Sequence, residues 1–341
     1  MSDTAKQSLA EIRRQLEASE EVGPAEENPT GPRLKSAAMI ETREVRWLWP
    51  NHIALGKFTV VAGDPGLGKS FLSVDLAART STGGQWPDGS PGGTPSGVLM
   101  VSAEDDPEDT TGPRLVSAGA DRERVFILEG IQDVDDRGRT VSRPPSLESD
   151  VVHLEAAISR VPDCRLVVLD PISAYMGGAD SHNNTEVRGL LAPLQELAQR
   201  KEVAVVAITH LNKGQGKAIY RAMGSLAFVA AARTVWAVSA DEEDPDRRLF
   251  VPVKNNIGQD REGLAYRIEE VPKVQDGGRV EHHSQPALRW EEEPLKMSAD
   301  EALAPTEERS ERDEAADWIK EQLAQGPRNV QELKREAQDA G

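Results

Sequence analysis

The chain has 341 residues, and its 58 Asp and Glu against 40 Lys and Arg leave a formal net charge of −18. That charge excludes a general electrostatic binder of nucleic acid and confines any DNA or RNA contact to local basic loops, such as loops lining a ring. The single cysteine, Cys164, excludes an intrachain disulfide and a cysteine-built zinc site. It sits just before an apolar strand, where an inert buried thiol is expected. No signal peptide and no apolar run long enough to span a bilayer is present, so the expectation is a cytoplasmic protein with no membrane contact. The length suits one large α/β domain plus appendages.

In chain order, residues 2–22 have the pattern of a charged amphipathic helix, with Leu9, Ile12 and Leu16 at helical spacing. Residues 23–36 carry Gly23, Pro24, Pro29, Gly31 and Pro32 and read as a flexible linker. Residues 1–38 are therefore set apart, either as a helix that docks on a neighbouring subunit or as a solvated tail. The core is expected to begin near Met39. Trp47 and Trp49 precede the first strand, and packing beneath the domain is the plain reading for both.

Residues 57–62 read as a buried strand and residues 71–79 as a helix. Between them stands Gly63-Asp64-Pro65-Gly66-Leu67-Gly68-Lys69-Ser70. Glycines let the backbone turn tightly, so that successive N–H groups converge on a phosphate. Lys69 supplies a point charge for the β- and γ-phosphates, Ser70 a hydroxyl for Mg²⁺, and the helix starting by Phe71 aims its N-terminus at the anion. This stretch predicts ATP and Mg²⁺ as ligands.

Residues 81–97 are glycine- and proline-rich and read as an irregular surface insertion. A central apolar strand, residues 98–102, then runs into Ala103-Glu104-Asp105-Asp106. A helix is expected over 111–118, a strand over 125–128, a polar loop over 129–145 and a helix over 147–160. Residues 165–170 form a buried strand ending in Asp170, expected to lie beside the phosphate-loop strand. A helix over 186–200 and a strand over 203–208 follow, the latter ending in Thr209-His210. Apolar strands alternating with helices predict a mostly parallel sheet. Beyond it, residues 223–232 read as a small-residue helix, and 234–238, 249–253 and 264–269 as strands. Residues 273–310 read as a polar linker and 311–341 as a helical segment, so the domain is assigned to residues 39–272.

Open α/β sheets bind ligands at the C-terminal ends of their strands. Four such ends carry chemistry here: the glycine loop, Glu104, Asp170 and His210. Asp170 can hold a Mg²⁺-bound water, or merely cap the turn before Pro171. With Pro171 next, the base that activates water must come from elsewhere. Glu104 is the first candidate, ahead of Asp105 and Asp106. The same acidic triplet also suits a helix N-terminus. His210 can sense the γ-phosphate or serve only as a structural residue. The loop after it is basic, with Lys213, Lys217 and Arg221 as candidate contacts to single-stranded DNA, or as a solvated stretch. The glycine-rich loop over 177–184 is a weaker candidate. Arg233 and Lys254 are candidates for a charge given to a neighbour's γ-phosphate, or plain surface cations.

Together, residues 63–70, Ser102-Ala103-Glu104-Asp105-Asp106-Pro107, Leu169-Asp170-Pro171, Ile208-Thr209-His210-Leu211-Asn212-Lys213, Gly224-Ser225 through Arg233, and Lys254-Asn255-Asn256 resemble the RecA-like P-loop ATPases. The closest resemblance is to the hexameric replicative helicases of the plasmid RepA type. It implies a RecA-like fold, a hexameric ring, ATP between subunits, Glu104 as base and an arginine entering from the next protomer, for which Arg233 has the matching setting. Residues 315–341 look like the opening helices of a winged helix whose recognition helix and wing are absent from this sequence. Two further readings stay open: an ATPase that assembles on DNA without unwinding it, as a recombinase or regulator does, and a DNA-binding regulator with a nucleotide switch.

Overall fold

A computed structural model describes residues 34–179, 183–211, 226–259, 261–271, 275–276, 279–280 and 286–303. The expected N-terminal helix, the loop cations Lys213, Lys217 and Arg221, and the C-terminal segment 311–341 lie outside these residues. Contacts divide the chain between Glu44 and Val45. Residues 34–44 hold one short 3₁₀ turn, Ala37–Met39, and all are exposed. The folded core therefore opens at Val45 rather than near Met39, because Leu34, Met39 and Ile40 stay exposed.

From Val45 the described elements are β1 Trp47–Trp49, β2 Ile53–Ala54, β3 Phe58–Gly63, α1 Lys69–Thr82, β4 Gly97–Ser102, α2 Gly112–Ser117, β5 Val125–Ile127, β6 Ile131–Val134, β7 Thr140–Arg143, α3 Val151–Arg160, β8 Cys164–Asp170, α4 Asn184–Lys201, β9 Ala204–His210, α5 Leu226–Ala231, β10 Thr234–Ala240, β11 Arg247–Asn255, β12 Leu264–Glu270, β13 Gln275–Asp276, β14 Arg279–Val280, β15 Pro286–Trp290 and α6 Ala299–Ala302. The main sheet has nine strands in the order β15-β12-β11-β10-β3-β9-β8-β4-β5. Strands β5, β4, β8, β9, β3 and β10 are parallel, whereas β11, β12 and β15 are antiparallel. This is the α/β, RecA-like P-loop architecture that the apolar strands and intervening helices predict.

The parallel strands are apolar at nearly every position because both faces are covered. Successive side chains alternate between faces. Val60, Ala62, Val167, Leu169, Val205 and Ala207 pack on one side with Leu154 and Ile158 of α3 and Leu191, Leu194 and Leu197 of α4. Val61, Val98, Met100, Val168, Val206 and Ile208 pack on the other with Leu72 and Leu76 of α1 and Leu115 of α2. Cys164, at the start of β8, is a free thiol whose pKa burial pushes up to about 11, in keeping with an inert role.

Four sequence expectations need correction. Strand β8 does not adjoin β3: β9 lies between them. Strand β4 is not central, since only the short β5 lies outside it. The 129–145 stretch is not simply loop but carries the hairpin β6–β7, whose strands are almost wholly exposed. With so little to bury, it has no apolar alternation to reveal it. Finally, the polar stretch 273–310 contains β15, which pairs with β12 from Tyr266↔Trp290 to Glu270↔Pro286 and buries Ala287 and Leu288. Two buried residues on an edge strand are too few to stand out in a polar sequence.

An aromatic cluster packs where the antiparallel wing meets the parallel strands. Trp49 stacks on His52 at 4.1 Å and on Trp86 at 5.1 Å. His52 in turn stacks on Trp236, and Trp236 on Phe250, both at 4.6 Å. Trp290 meets Trp49, Phe250 and Tyr266 edge-on. The irregular insertion after α1 thus contributes a core residue, Trp86, which is only 3% exposed. Burial lowers the pKa of His52 to about 4, against the opposing pull of its contact with the Pro50 carbonyl and the Asp88 charge.

Candidate nucleotide site

The site begins where β3 ends. Gly63 lets the chain pass close to β10, since a Cβ there would lie 2.8 Å from the Val238 carbonyl oxygen. Gly68, at φ +78°, occupies the left-handed region and caps α1 without a side chain. The first turn of α1 has no acidic residue, so no carboxylate competes with an anion for the free N–H groups at its N-terminus. Lys69 folds back over the loop, and its Nζ donates to Gly63 O at 2.7 Å and Asp64 O at 2.8 Å. Its Nζ also lies 3.5 Å from His210 Nδ1.

His210 reaches this position because β9 pairs with β3 in parallel, with Gly63 opposite His210. The insertion of β9 between β3 and β8 therefore places a histidine beside the loop. Asp170 sits one strand further along and contacts α1 from there. Ser73 Oγ donates to Asp170 Oδ2 at 3.0 Å, and Ser70 also hydrogen-bonds that carboxylate. On β4, Ser102 pairs with Asp170, and Glu104 follows two residues later.

Pro65, Gly66, Gly68, Lys69, Ser70, Phe71, Glu104, Asp170 and His210 line a single cleft of about 290 Å³, together with Asp105, Arg114, Ile208 and Ile268. The strand-end groups singled out in the sequence thus share one rim of the sheet. Burial pulls the Lys69 ammonium below the usual lysine range, opposed by Asp170, Asp64 and Glu104. Burial pushes the Asp170 carboxyl upward. Hydrogen bonds from Ser73 and Ser70 resist that rise, and the charges of Asp105 and Glu104 add to it. A cation bound beside Asp170 would remove this tension.

The donor set fits such a cation. Ser70 and Asp170 offer hard oxygen ligands. Among the described residues, no group of three or more His, Cys, Asp or Glu could hold a metal ion. A Mg²⁺ here would complete its shell with phosphate oxygens and water, as Mg²⁺ commonly does.

Arg233 and Lys254 are not brought to this cleft. The Arg233 N–H donates to Phe58 O at 2.9 Å, at the opposite end of β3 from the loop. Lys254 pairs with Val235 at the same rim, and its Nζ donates to the carbonyls of Val229 and Ala232. A six-residue strand puts about 17 Å between the two rims. Neither side chain spans that distance to the loop of its own chain.

Sequence reasoning passed over Arg114, Ser73, Tyr266 and Ile268. Arg114 pairs with Asp105 at 2.7 Å and lies over the Phe71 ring, 4.4 Å from its centroid. Ser73 stands one helical turn beyond Ser70, a spacing that could have revealed it. Tyr266 and Ile268 read only as alternating members of a strand. The described residues include no helix long and apolar enough to cross a membrane.

A comparison with curated proteins returns no match. The model of the AAA domain family matches residues 30–216, more than half of the sequence and all of the parallel strands except β10. With the glycine loop, the parallel sheet and the cleft at its C-terminal rim, the chain belongs to the AAA domain family of P-loop ATPases.

Proposed function

We propose that this P-loop ATPase is Mg²⁺-dependent, assembles as a hexameric ring, and couples ATP hydrolysis to unwinding of or translocation along DNA in plasmid or phage replication. The observation that carries the ATPase chemistry is the shared cleft of the phosphate loop, Glu104, Asp170 and His210. In this reading Lys69 and the amides of residues 66–71 bind the phosphates. Ser70 and Asp170 would hold Mg²⁺, which would neutralise phosphate charge. Glu104 accepts a proton at its carboxylate from water as the water oxygen bonds to the γ-phosphorus. The bond from that phosphorus to the β–γ bridging oxygen breaks, and ADP leaves. His210, beside Lys69, registers the loss of the γ-phosphate and passes it to the loop that follows.

The separation of the two rims supports the ring reading. Arg233 is exposed at the rim away from its own loop and has Lys254 beside it. A cation so placed serves a nucleotide only if a second copy brings that nucleotide to it. The helicase assignment is supported by the six stretches that resemble the RepA-type enzymes.

Replacing Arg233 by Ala should abolish turnover, and mixing that variant with Lys69→Ala subunits should partly restore it. Absence of rescue at every mixing ratio would count against the ring. Strand displacement by the full chain tests the motor. Phosphate release stimulated by single-stranded DNA without displacement would leave an ATPase that assembles on DNA, and no phosphate release at all would leave only a nucleotide switch.

A further inference from the structure

The family match ends at residue 216, yet strands beyond it touch the phosphate loop. Tyr266 on β12 is fully buried, and its hydroxyl donates to the Leu67 carbonyl at 2.9 Å. Two residues on, the same face of β12 presents Ile268, whose Cδ1 would lie 2.3 Å from a Cβ at Gly68. The Tyr266 ring meets Trp290 edge-on at 5.3 Å, and the Trp290 indole N–H donates to Asp75 Oδ2 on α1 at 2.9 Å. One sheet wing therefore holds the loop at Leu67 and Gly68 and its helix at Asp75.

We propose that Tyr266 is a positioning residue for nucleotide binding, acting through the Leu67–Gly68 peptide. The carbonyl of Leu67 and the N–H of Gly68 belong to one planar trans unit and point in opposite directions. Tethering the carbonyl to Tyr266 fixes the plane and turns the Gly68 N–H away from β12. Burial raises the phenol well above the usual tyrosine range, so the hydroxyl remains a donor at every working pH. The ring's packing and the hydroxyl's tether are separable, because phenylalanine keeps the first and loses the second.

The inference rests on the loop binding ATP, so the test carries its own control. Titration calorimetry with ATP and Mg²⁺ compares the full-length wild type with Tyr266→Phe, Lys69→Ala and Val251→Ala. Val251 is buried in β11, in the core on the other face of the sheet, and reports general loosening. Tyr266→Phe should weaken ATP binding about 3- to 10-fold, the range for one lost hydrogen bond, with kcat within about twofold of wild type. Amide hydrogen exchange over residues 63–71 should accelerate without nucleotide. Val251→Ala should lower the melting temperature and leave affinity unchanged. Wild-type affinity and exchange in Tyr266→Phe would overturn the brace, as would an equal affinity loss in Val251→Ala. If Lys69→Ala binds ATP as tightly as wild type, the loop's role fails instead, and the exchange measurement still judges the tether.

Discussion

The parallel half of the sheet and its antiparallel wing divide the work of the molecule. Strands β3, β4, β8 and β9 each lead at their C-terminal ends to groups that line the cleft, whereas β12 gives the cleft one apolar side chain, Ile268, and the loop a hydrogen bond, and β15 hydrogen-bonds α1. Parallel strands bring their C-terminal ends to one rim, so residues far apart in sequence meet there. Antiparallel strands alternate direction and cannot do this. Their contribution is a rigid aromatic surface against which the loop and α1 are set. The difference teaches that the polar groups lining the cleft and the contacts bracing its loop come from different topologies.

The largest expected effect lies in the parallel half. Glu104→Gln should keep ATP affinity and lose about 10²- to 10⁴-fold in turnover, the usual reach of a general base. Near-normal phosphate release from this variant would falsify the base assignment and leave Asp105 as the next candidate.

A comparable effect in energy, but on stability, is expected where the wing meets the parallel strands. Trp236→Ala removes a fully buried ring stacked between His52 and Phe250 and should destabilise by about 3–5 kcal/mol. Denaturant unfolding measures it. A loss under about 1 kcal/mol would mean that the aromatic cluster does not anchor the wing.

The same stack carries a pH dependence. The folded imidazole of His52 holds its proton only below about pH 4, whereas the unfolded one takes it up near 6.5. Between those values the unfolded chain binds more protons, so stability is intact above about pH 6.5 and falls by about 3 kcal/mol as pH drops towards 4. Urea midpoints across this window should slope downward towards acid in the wild type and flatten in His52→Gln. Parallel slopes in the two proteins would remove His52 from the explanation.

The smallest effect sits where the two regions touch. Gly68→Ala puts a Cβ at φ +78° and 2.3 Å from Ile268 Cδ1, and should cost about 1–3 kcal/mol. Adding Ile268→Ala relieves the clash but not the backbone strain, so recovery should be partial. Full recovery would show that only the clash mattered, and none that only the backbone did.

Much of the parallel half is legible in the chain itself. Residues 58–62, 98–102, 166–169 and 203–208 are mostly apolar because both faces of those strands are covered, and the glycine loop, Glu104, Asp170 and His210 stand within two residues of their ends. The wing is less legible. Strand β15 hides in a polar stretch, and Trp86 in an insertion rich in glycine and proline, since each buries only a residue or two locally. Nothing in the local spacing around Arg114 or Tyr266 marks either as a neighbour of the loop.

By itself the sequence determined the phosphate loop, the alternation of strand and helix, and which side chains stand at strand ends, because these follow from spacing along one chain. Only the tertiary structure decided that β9 separates β3 from β8, that Arg233 and Lys254 face away from their own loop, and that Tyr266 holds Leu67. Strand order and cross-strand register are settled by packing between distant segments, and no local pattern carries that information.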